Sequence, residues 1–160
     1  MLGCNNKVKE ETYLNLEKNK TFEKDGIIVK MEGETHYLKQ ENIFPQKINF
    51  NKDSLMYYFH TKNSNLQVNL NLTNTNILQN NSATYTIPDA NKSQIKVDLS
   101  FYNKDRDASR INKRIVFRKG KINIKKLTKN NLILTFEGEG SGMIERKKNF
   151  PINGSIKITY

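Results

Sequence analysis

The sequence predicts an all-β fold: an antiparallel β-sandwich or a partly closed β-barrel of about nine to ten short strands, with a flexible N-terminal tether. Three observations support this fold class. Only three of the 160 residues are alanine, the best helix former. Ile, Val, Phe, Tyr and Thr together number 47, and their branched or aromatic side chains favour a pleated sheet. From Gly26 onward, apolar and polar residues alternate with a period of two, which is typical of half-buried strands.

The chain divides into two regions by this pattern. Residues 1–25 are predicted to be a tether, because they are mostly polar and rich in lysine and glutamate. Residues 26–160 are predicted to form a single all-β domain, a usual size for one hydrophobic core. No apolar run approaches the ~18–20 residues of a membrane-spanning helix.

The strands follow from local alternation between turn residues. The clearest is NLQVNLNL at 65–72, where leucine or valine alternates with an amide, and QIKVDLSF at 94–101 repeats the pattern. Pro, Asn and Gly punctuate the chain between such stretches. The predicted strands are 27–31, 48–50, 55–59, 65–72, 84–87, 94–101, 114–118, 121–127, 132–136 and 155–160.

The one cysteine of the chain lies at position four, ahead of the polar region. A single cysteine cannot form an internal disulfide. With His36 and His60 it makes too few and too scattered ligands for zinc, so we expect no metal site. A catalytic thiolate needs a structured, electropositive pocket, which a tether does not offer.

Leu2, Gly3 and Cys4, followed by a polar segment, resemble the lipobox that ends a bacterial lipoprotein signal. The whole chain is also similar to the small Asn/Lys-rich β lipoproteins of unknown function of Gram-negative envelopes. The resemblance implies that Cys4 is the lipid attachment site. It also implies a lipid-anchored protein on the periplasmic or surface side of the cell envelope, touching the membrane through this anchor only. The alternative is a cytoplasmic protein with a chance cysteine near its start.

Positive charge is concentrated in one segment. The net charge is +11, and residues 104–130 carry eleven cations against Asp105 and Asp107. Within RINKRIVFRKGKINIKKL, the pair Lys119–Gly120 predicts a two-residue turn between two strands. Such a hairpin would set Arg118 opposite Lys121 and Arg114 opposite Lys125. The candidate anion-binding residues on its outer face are Arg114, Arg118, Lys121 and Lys125, and its apolar face would carry Ile115, Phe117, Ile122 and Ile124.

Two interpretations of this basic hairpin remain open. The cations could protect an exposed sheet from edge pairing and aggregation. They could instead bind an anion: phosphate, an acidic glycan, anionic lipid headgroups or an acidic partner protein. The aromatic run YYFH at 57–60 raises the alternative of a cytosolic basic β-barrel that binds nucleic acid, since stacking platforms combine aromatic rings with cations.

No pattern indicates an enzyme or a cofactor. Glu137 and Glu139 in FEGEGSG would share a face of a strand, but we expect a solvated bend there rather than a catalytic pair. The loop NKDRDASR at 103–110 lacks the order of a calcium loop and predicts a self-paired, solvated turn. The sequence thus predicts a non-enzymatic binding domain without a cofactor.

Overall fold

The computed structural model describes residues 25–44, 49–51, 54–73, 75–88, 97–106 and 113–160. Cys4 and all of the predicted tether except Asp25 lie outside these residues. The described residues form ten strands, a 3-10 turn at Gln40–Asn42 and a single helical turn, α1, at Ile77–Asn80. The strands are β1 (Gly26–Met31), β2 (Glu34–Lys39), β3 (Asn49–Asn51), β4 (Ser54–Phe59), β5 (Leu66–Thr73), β6 (Ala83–Ile87), β7 (Val97–Asn103), β8 (Arg114–Leu127), β9 (Asn131–Gly142) and β10 (Phe150–Thr159).

All ten strands belong to one antiparallel sheet, so the predicted all-β class is confirmed. The strand order is β2-β1-β10-β9-β8-β7-β5-β4-β3, and β6 pairs with β8 beside β7. The sheet curls on itself, because an isolated bridge joins Ile43 after β2 to Thr61 after β4. The Tyr57 hydroxyl of β4 also lies 3.1 Å from the Tyr160 hydroxyl after β10. The architecture is thus a partly closed barrel rather than two separate sheets.

The hydrophobic core lies on the inner side of this curled sheet. In β5 the four alternating apolar residues are fully buried and the intervening amides face outward, as the pattern predicted. Three phenylalanine rings meet at the centre: the Phe136 centroid lies 5.8 Å from that of Phe101 and 6.2 Å from that of Phe117. Burial of each such side chain contributes about 1.5–3 kcal/mol, so the alternation supplies most of the driving force.

Strand β2 is absent from the predicted strands, because its sequence ETHYLK buries only Leu38. It forms as the second half of a hairpin with β1, whose two-residue loop is Glu32–Gly33. Both loop residues have positive φ, 51° and 78°, which matches the right-handed twist of the flanking strands. A polar edge strand of this kind leaves little apolar periodicity in the sequence.

The predicted hairpin at Lys119–Gly120 is wrong: β8 runs unbroken for 14 residues through this pair. Strand β9 lies antiparallel beside the whole of β8, so both halves of β8 bond to β9 instead of to each other. Gly120 does have a positive φ of 144°, but it serves a close approach and not a turn. Its partner across the ladder is Gly138, and a Cβ on Gly120 would lie 2.6 Å from the Gly138 Cα and 2.8 Å from the Phe117 ring.

Candidate anion-binding strand

The outer face of β8 carries a row of cations that we call the basic strand. Two β-bulges interrupt the pairing of β8 with β9, between Phe117 and Lys119 and between Ile124 and Lys126. At a bulge one extra residue enters the strand, so two consecutive side chains can both remain outside the core. The first bulge of β8 leaves Arg118 and Lys119 outside the core, and the second leaves Lys125 and Lys126 outside it. The members of the basic strand are Arg114, Arg118, Lys119, Lys121, Lys125 and Lys126.

The four residues predicted from the sequence share this face, but they do not converge. Arg114 and Lys125 are eleven positions apart on one strand, and two of these positions are the extra residues of the bulges. At about 3.3 Å for each of the other nine, their Cα atoms are separated by roughly 30 Å. The predicted cross-strand pairs of cations do not exist. The predicted division into two faces is correct, because Ile115, Phe117, Ile122 and Ile124 are all buried.

The guanidinium of Arg118 is hydrogen-bonded within the protein. Its Nε donates to Ser141 Oγ at 3.0 Å, and its Nη2 donates to the carbonyl oxygens of Gly142 and Met143 at 3.3 and 3.1 Å. These bonds satisfy acceptors at the end of β9. Arg118 therefore contributes charge to the basic strand, while its donors fasten the neighbouring strand.

Arg114 is more accessible, with 46% of its side chain exposed. Its Nη2 lies 3.4 Å from Ser100 Oγ and 3.8 Å from Asp98 Oδ2 on β7. An exposed pair at this distance contributes at most about 1 kcal/mol, so a ligand anion can compete for Arg114.

Two carboxylates of β9 lie opposite the basic strand. Glu137 pairs in register with Lys121, and Glu139 with Lys119. Both glutamates are exposed and belong to the interior of a 12-residue strand, so the predicted bend at this position is wrong. With Asp98 near Arg114, three carboxylates lie beside the six cations, so the row has an excess of positive charge.

The position of β8 in the sheet bears on the two interpretations of its cations. β8 pairs with β9 along one side, and with β7 and β6 along the other. On that second side the ladders cover residues 114–116 and 120–124, so Arg114 and Lys121 do not protect a sheet edge. Lys119 and Lys126 were missed by sequence reasoning. The doublets Arg118–Lys119 and Lys125–Lys126 are the signal that could have revealed the bulges, because two successive cations cannot both alternate out of a core.

Arg106 in the loop after β7 forms a different cluster. Its Nε donates to Glu32 Oε1 at 2.9 Å, and its Nη2 donates to Glu145 Oε2 at 3.0 Å. Its guanidinium lies 5.6 Å from the centroid of the Phe150 ring. Only 10% of the Arg106 side chain is exposed. Burial by itself lowers the pKa of Arg106, but hydrogen bonds to both glutamates and their charges outweigh it and raise that pKa. The predicted self-paired turn is thus wrong at Arg106, and this Arg106 cluster joins three separate loops.

The two histidines have different surroundings. His36 Nε2 lies 3.6 Å from Glu34 Oε2 on β2. The His60 ring packs against those of Phe44 and Tyr58 in tilted arrangements, with centroid distances of 4.8 and 5.3 Å. Within the described ranges, no group of three or more His, Cys, Asp or Glu side chains is placed to hold a metal ion.

An open depression of about 670 Å³ lies at the end of the sheet where β1 begins. Two contacts of Asp25 stabilise one side of this depression. The Tyr37 hydroxyl donates to the Asp25 carbonyl at 3.0 Å, and Lys157 Nζ lies 3.1 Å from Asp25 Oδ1. The lining residues are Asp25, Tyr37, Lys39, Gln40, Glu41 and Thr159.

Comparison with known protein families finds no matching family model, and comparisons with curated proteins and with solved structures find no match. In the part of the chain that the structure describes, no helix has the length and apolar character needed to cross a membrane.

Proposed function

We propose that this protein is a non-enzymatic, lipid-anchored domain of the bacterial cell envelope that binds an extended anionic ligand along its basic strand. The observation that carries this proposal is the row of six cations on the outer face of one interior strand, which has three carboxylates beside it. The lipid anchor rests on the resemblance of Leu2, Gly3 and Cys4 to a lipobox.

The geometry favours a ligand with repeated charges. A single phosphate is bound by cations that meet at one point, whereas these cations follow a line of roughly 30 Å. A polymer with regularly spaced anionic groups, such as an acidic glycan, can contact several of them at once. Each contact would release counterions, so binding should weaken steeply with salt.

The nucleic-acid alternative receives less support from the structure. The rings of Tyr58 and His60 lie on and directly after β4, and two strands, β5 and β7, separate β4 from β8. At about 4.8 Å between neighbouring strands, these rings are roughly 14 Å from the basic strand. Stacking platforms for single strands interleave rings with cations. Here one exposed ring, Tyr102 of β7, lies beside Arg114, whereas the rings of the aromatic run are separated from the basic strand.

Heparin serves as a defined polyanion for testing the proposal. We expect the triple variant K119Q, K121Q and K126Q to elute from a heparin column at much lower salt than the unmodified protein, because three contacts are lost. The matched control is K30Q, K39Q and K62Q, which removes three exposed lysines from β1, β2 and the turn after β4. Equal elution of the two triple variants would contradict the proposal, since net charge alone would then determine binding. A preference for single-stranded DNA over heparin would favour the alternative function.

The anchor is tested separately by intact-mass analysis of protein purified from its native host. Acylated Cys4 is the expected result. An unmodified thiol there would contradict the envelope location without affecting the heparin result.

A further inference from the structure

Two apolar residues project from the molecule directly after β9. Met143 is 51% exposed and Ile144 is 58% exposed, which makes them the most exposed large hydrophobic residues in the described ranges. Together with the cations that follow them they form a surface that we call the tip, defined as Met143, Ile144, Arg146, Lys147 and Lys148. Contiguous exposed apolar side chains of this kind indicate an interaction site more often than isolated ones do.

The fold holds the apolar pair in its exposed position. The Met143 amide donates to the Arg114 carbonyl at 2.8 Å, and Arg118 donates to the Met143 carbonyl at 3.1 Å. The Arg146 amide donates to the Ile144 carbonyl at 2.9 Å. Next in the chain, Glu145 is fixed by its ion pair with Arg106. These bonds fix the backbone on both sides of the pair, so the exposure is part of the native structure.

The surroundings of the apolar pair are cationic. Arg146, Lys147 and Lys148 are all exposed, and Arg114 approaches from the basic strand. The acids at this end, Glu145 and Glu32, share Arg106, so they leave one negative charge against these four cations. An apolar projection within a rim of cations is complementary to an anionic lipid surface, where the apolar groups enter the headgroup region and the cations lie against the headgroups.

We propose that the tip docks on the surface of an anionic lipid bilayer, with Met143 and Ile144 inserted at the level of the headgroups. A protein partner fits less well, because a stable protein interface buries about 800 Å² on each side with an apolar centre, and two side chains do not supply that centre. This contact is additional to the proposed lipid on Cys4 and depends neither on that lipid nor on the ligand of the basic strand.

The tip and the beginning of β1 lie at opposite ends of the sheet. Arg106 binds both Glu32 in the β1–β2 turn and Glu145 next to the tip, so the tip lies beside this turn. Gly26, the first residue of β1, pairs with Lys39 and Lys157 at the other end of the sheet. From Phe150, which follows the tip, to Lys157, which pairs with Gly26, β10 advances seven residues, about 23 Å. The 21 residue steps from Cys4 to Asp25 can cover at most about 70–75 Å, so a lipid on Cys4 and a docked tip are sterically compatible.

The chain has no tryptophan, so one introduced indole reports on its own environment. In Ile144→Trp, vesicles of phosphatidylglycerol and phosphatidylcholine should shift the emission to shorter wavelength, while phosphatidylcholine alone should not. The matched control is Met56→Trp, which places the indole at a 48% exposed position on β4 and should show no shift. An unshifted Ile144→Trp spectrum under conditions where the protein sediments with the anionic vesicles would overturn the proposal.

A second variant tests the same contact without an added ring. The double change Met143→Ser and Ile144→Ser should reduce sedimentation with anionic vesicles roughly tenfold, since two apolar side chains no longer enter the headgroup region. Its elution from heparin should be unchanged. Unchanged vesicle binding in this variant would overturn the tip proposal, whereas loss of vesicle binding in K119Q, K121Q and K126Q alone would assign that binding to the basic strand.

Discussion

Replacing Arg106 by alanine should lower the free energy of unfolding by about 2–4 kcal/mol, because one guanidinium joins three loops at the same end of the barrel. The variant loses the hydrogen bonds to Glu32 and to Glu145 and the contact with the Phe150 ring. A hydrogen bond to a charged group contributes about 1.5–3 kcal/mol when buried. The carboxylates are 33% and 29% exposed, so solvent screening reduces each ion pair to about 1 kcal/mol. The cation–ring contact adds about 0.5–1 kcal/mol, and two carboxylates left near each other account for the remainder.

Urea unfolding followed by circular dichroism measures this loss. The matched control is Arg146→Ala, an exposed arginine of the same end of the molecule, which should change stability by less than about 0.5 kcal/mol. High salt should narrow the difference between Arg106→Ala and the unmodified protein, because part of it is electrostatic. If Arg106→Ala and Arg146→Ala unfold at the same urea concentration, the Arg106 cluster does not stabilise the fold as described.

Two further predictions concern the core. Burial, and after it the neighbouring Tyr160 hydroxyl, raises the pKa of Tyr57, so the phenol stays protonated in the folded protein. The contribution of Tyr57 to the free energy of unfolding should therefore be fully present below pH 10, the pKa of the unfolded phenol. Above pH 10 the free energy of unfolding should fall by up to about 1.4 kcal/mol per pH unit. Tyr57→Phe should therefore lose stability less steeply between pH 10 and 11.5 in urea titrations, and equal slopes would contradict this. Gly138→Ala should destabilise the protein by about 1–3 kcal/mol in the same assay, because its Cβ would lie 2.7 Å from the Gly120 Cα and the Phe117 ring; wild-type stability would mean that β8 and β9 are farther apart.

The sequence predicted those strands whose apolar face is complete. β5 buries every second side chain, and β7 does the same with Ser100 buried in addition, so their alternation survives in the sequence and locates them. β2 was missed because an edge strand with one buried residue has no such alternation. The choice between sandwich and barrel depends on how far a sheet curls, and contacts such as Ile43 with Thr61 are too distant in sequence to leave a local pattern.

The sequence identified four cations of the basic strand, but it predicted a hairpin where the structure has one continuous strand. Lys–Gly between two alternating stretches is a normal turn signal, and local rules could not reveal that Gly138 of β9 occupies the space where a Cβ of residue 120 would lie. The outward direction of Arg114, Lys121 and Lys125 was correct because Ile115 and Ile122 must face the core. The partners of Arg106 lie 74 and 39 residues away, which no spacing rule connects to a charged loop.

The account depends on β8 being one continuous strand, and disulfide trapping in a Cys4→Ser background tests this most directly. In the structure Asn123 is opposite Thr135, so cysteines at these two positions are close enough to be bridged. Val116 and Asn123 are seven residues apart on the same strand, one of them the extra residue of a bulge, so they are separated by about 20 Å and cysteines there cannot be bridged. We predict rapid oxidation of the 123–135 pair and none within the 116–123 pair. The opposite result would restore the hairpin, bring the cations together and contradict the extended binding strand.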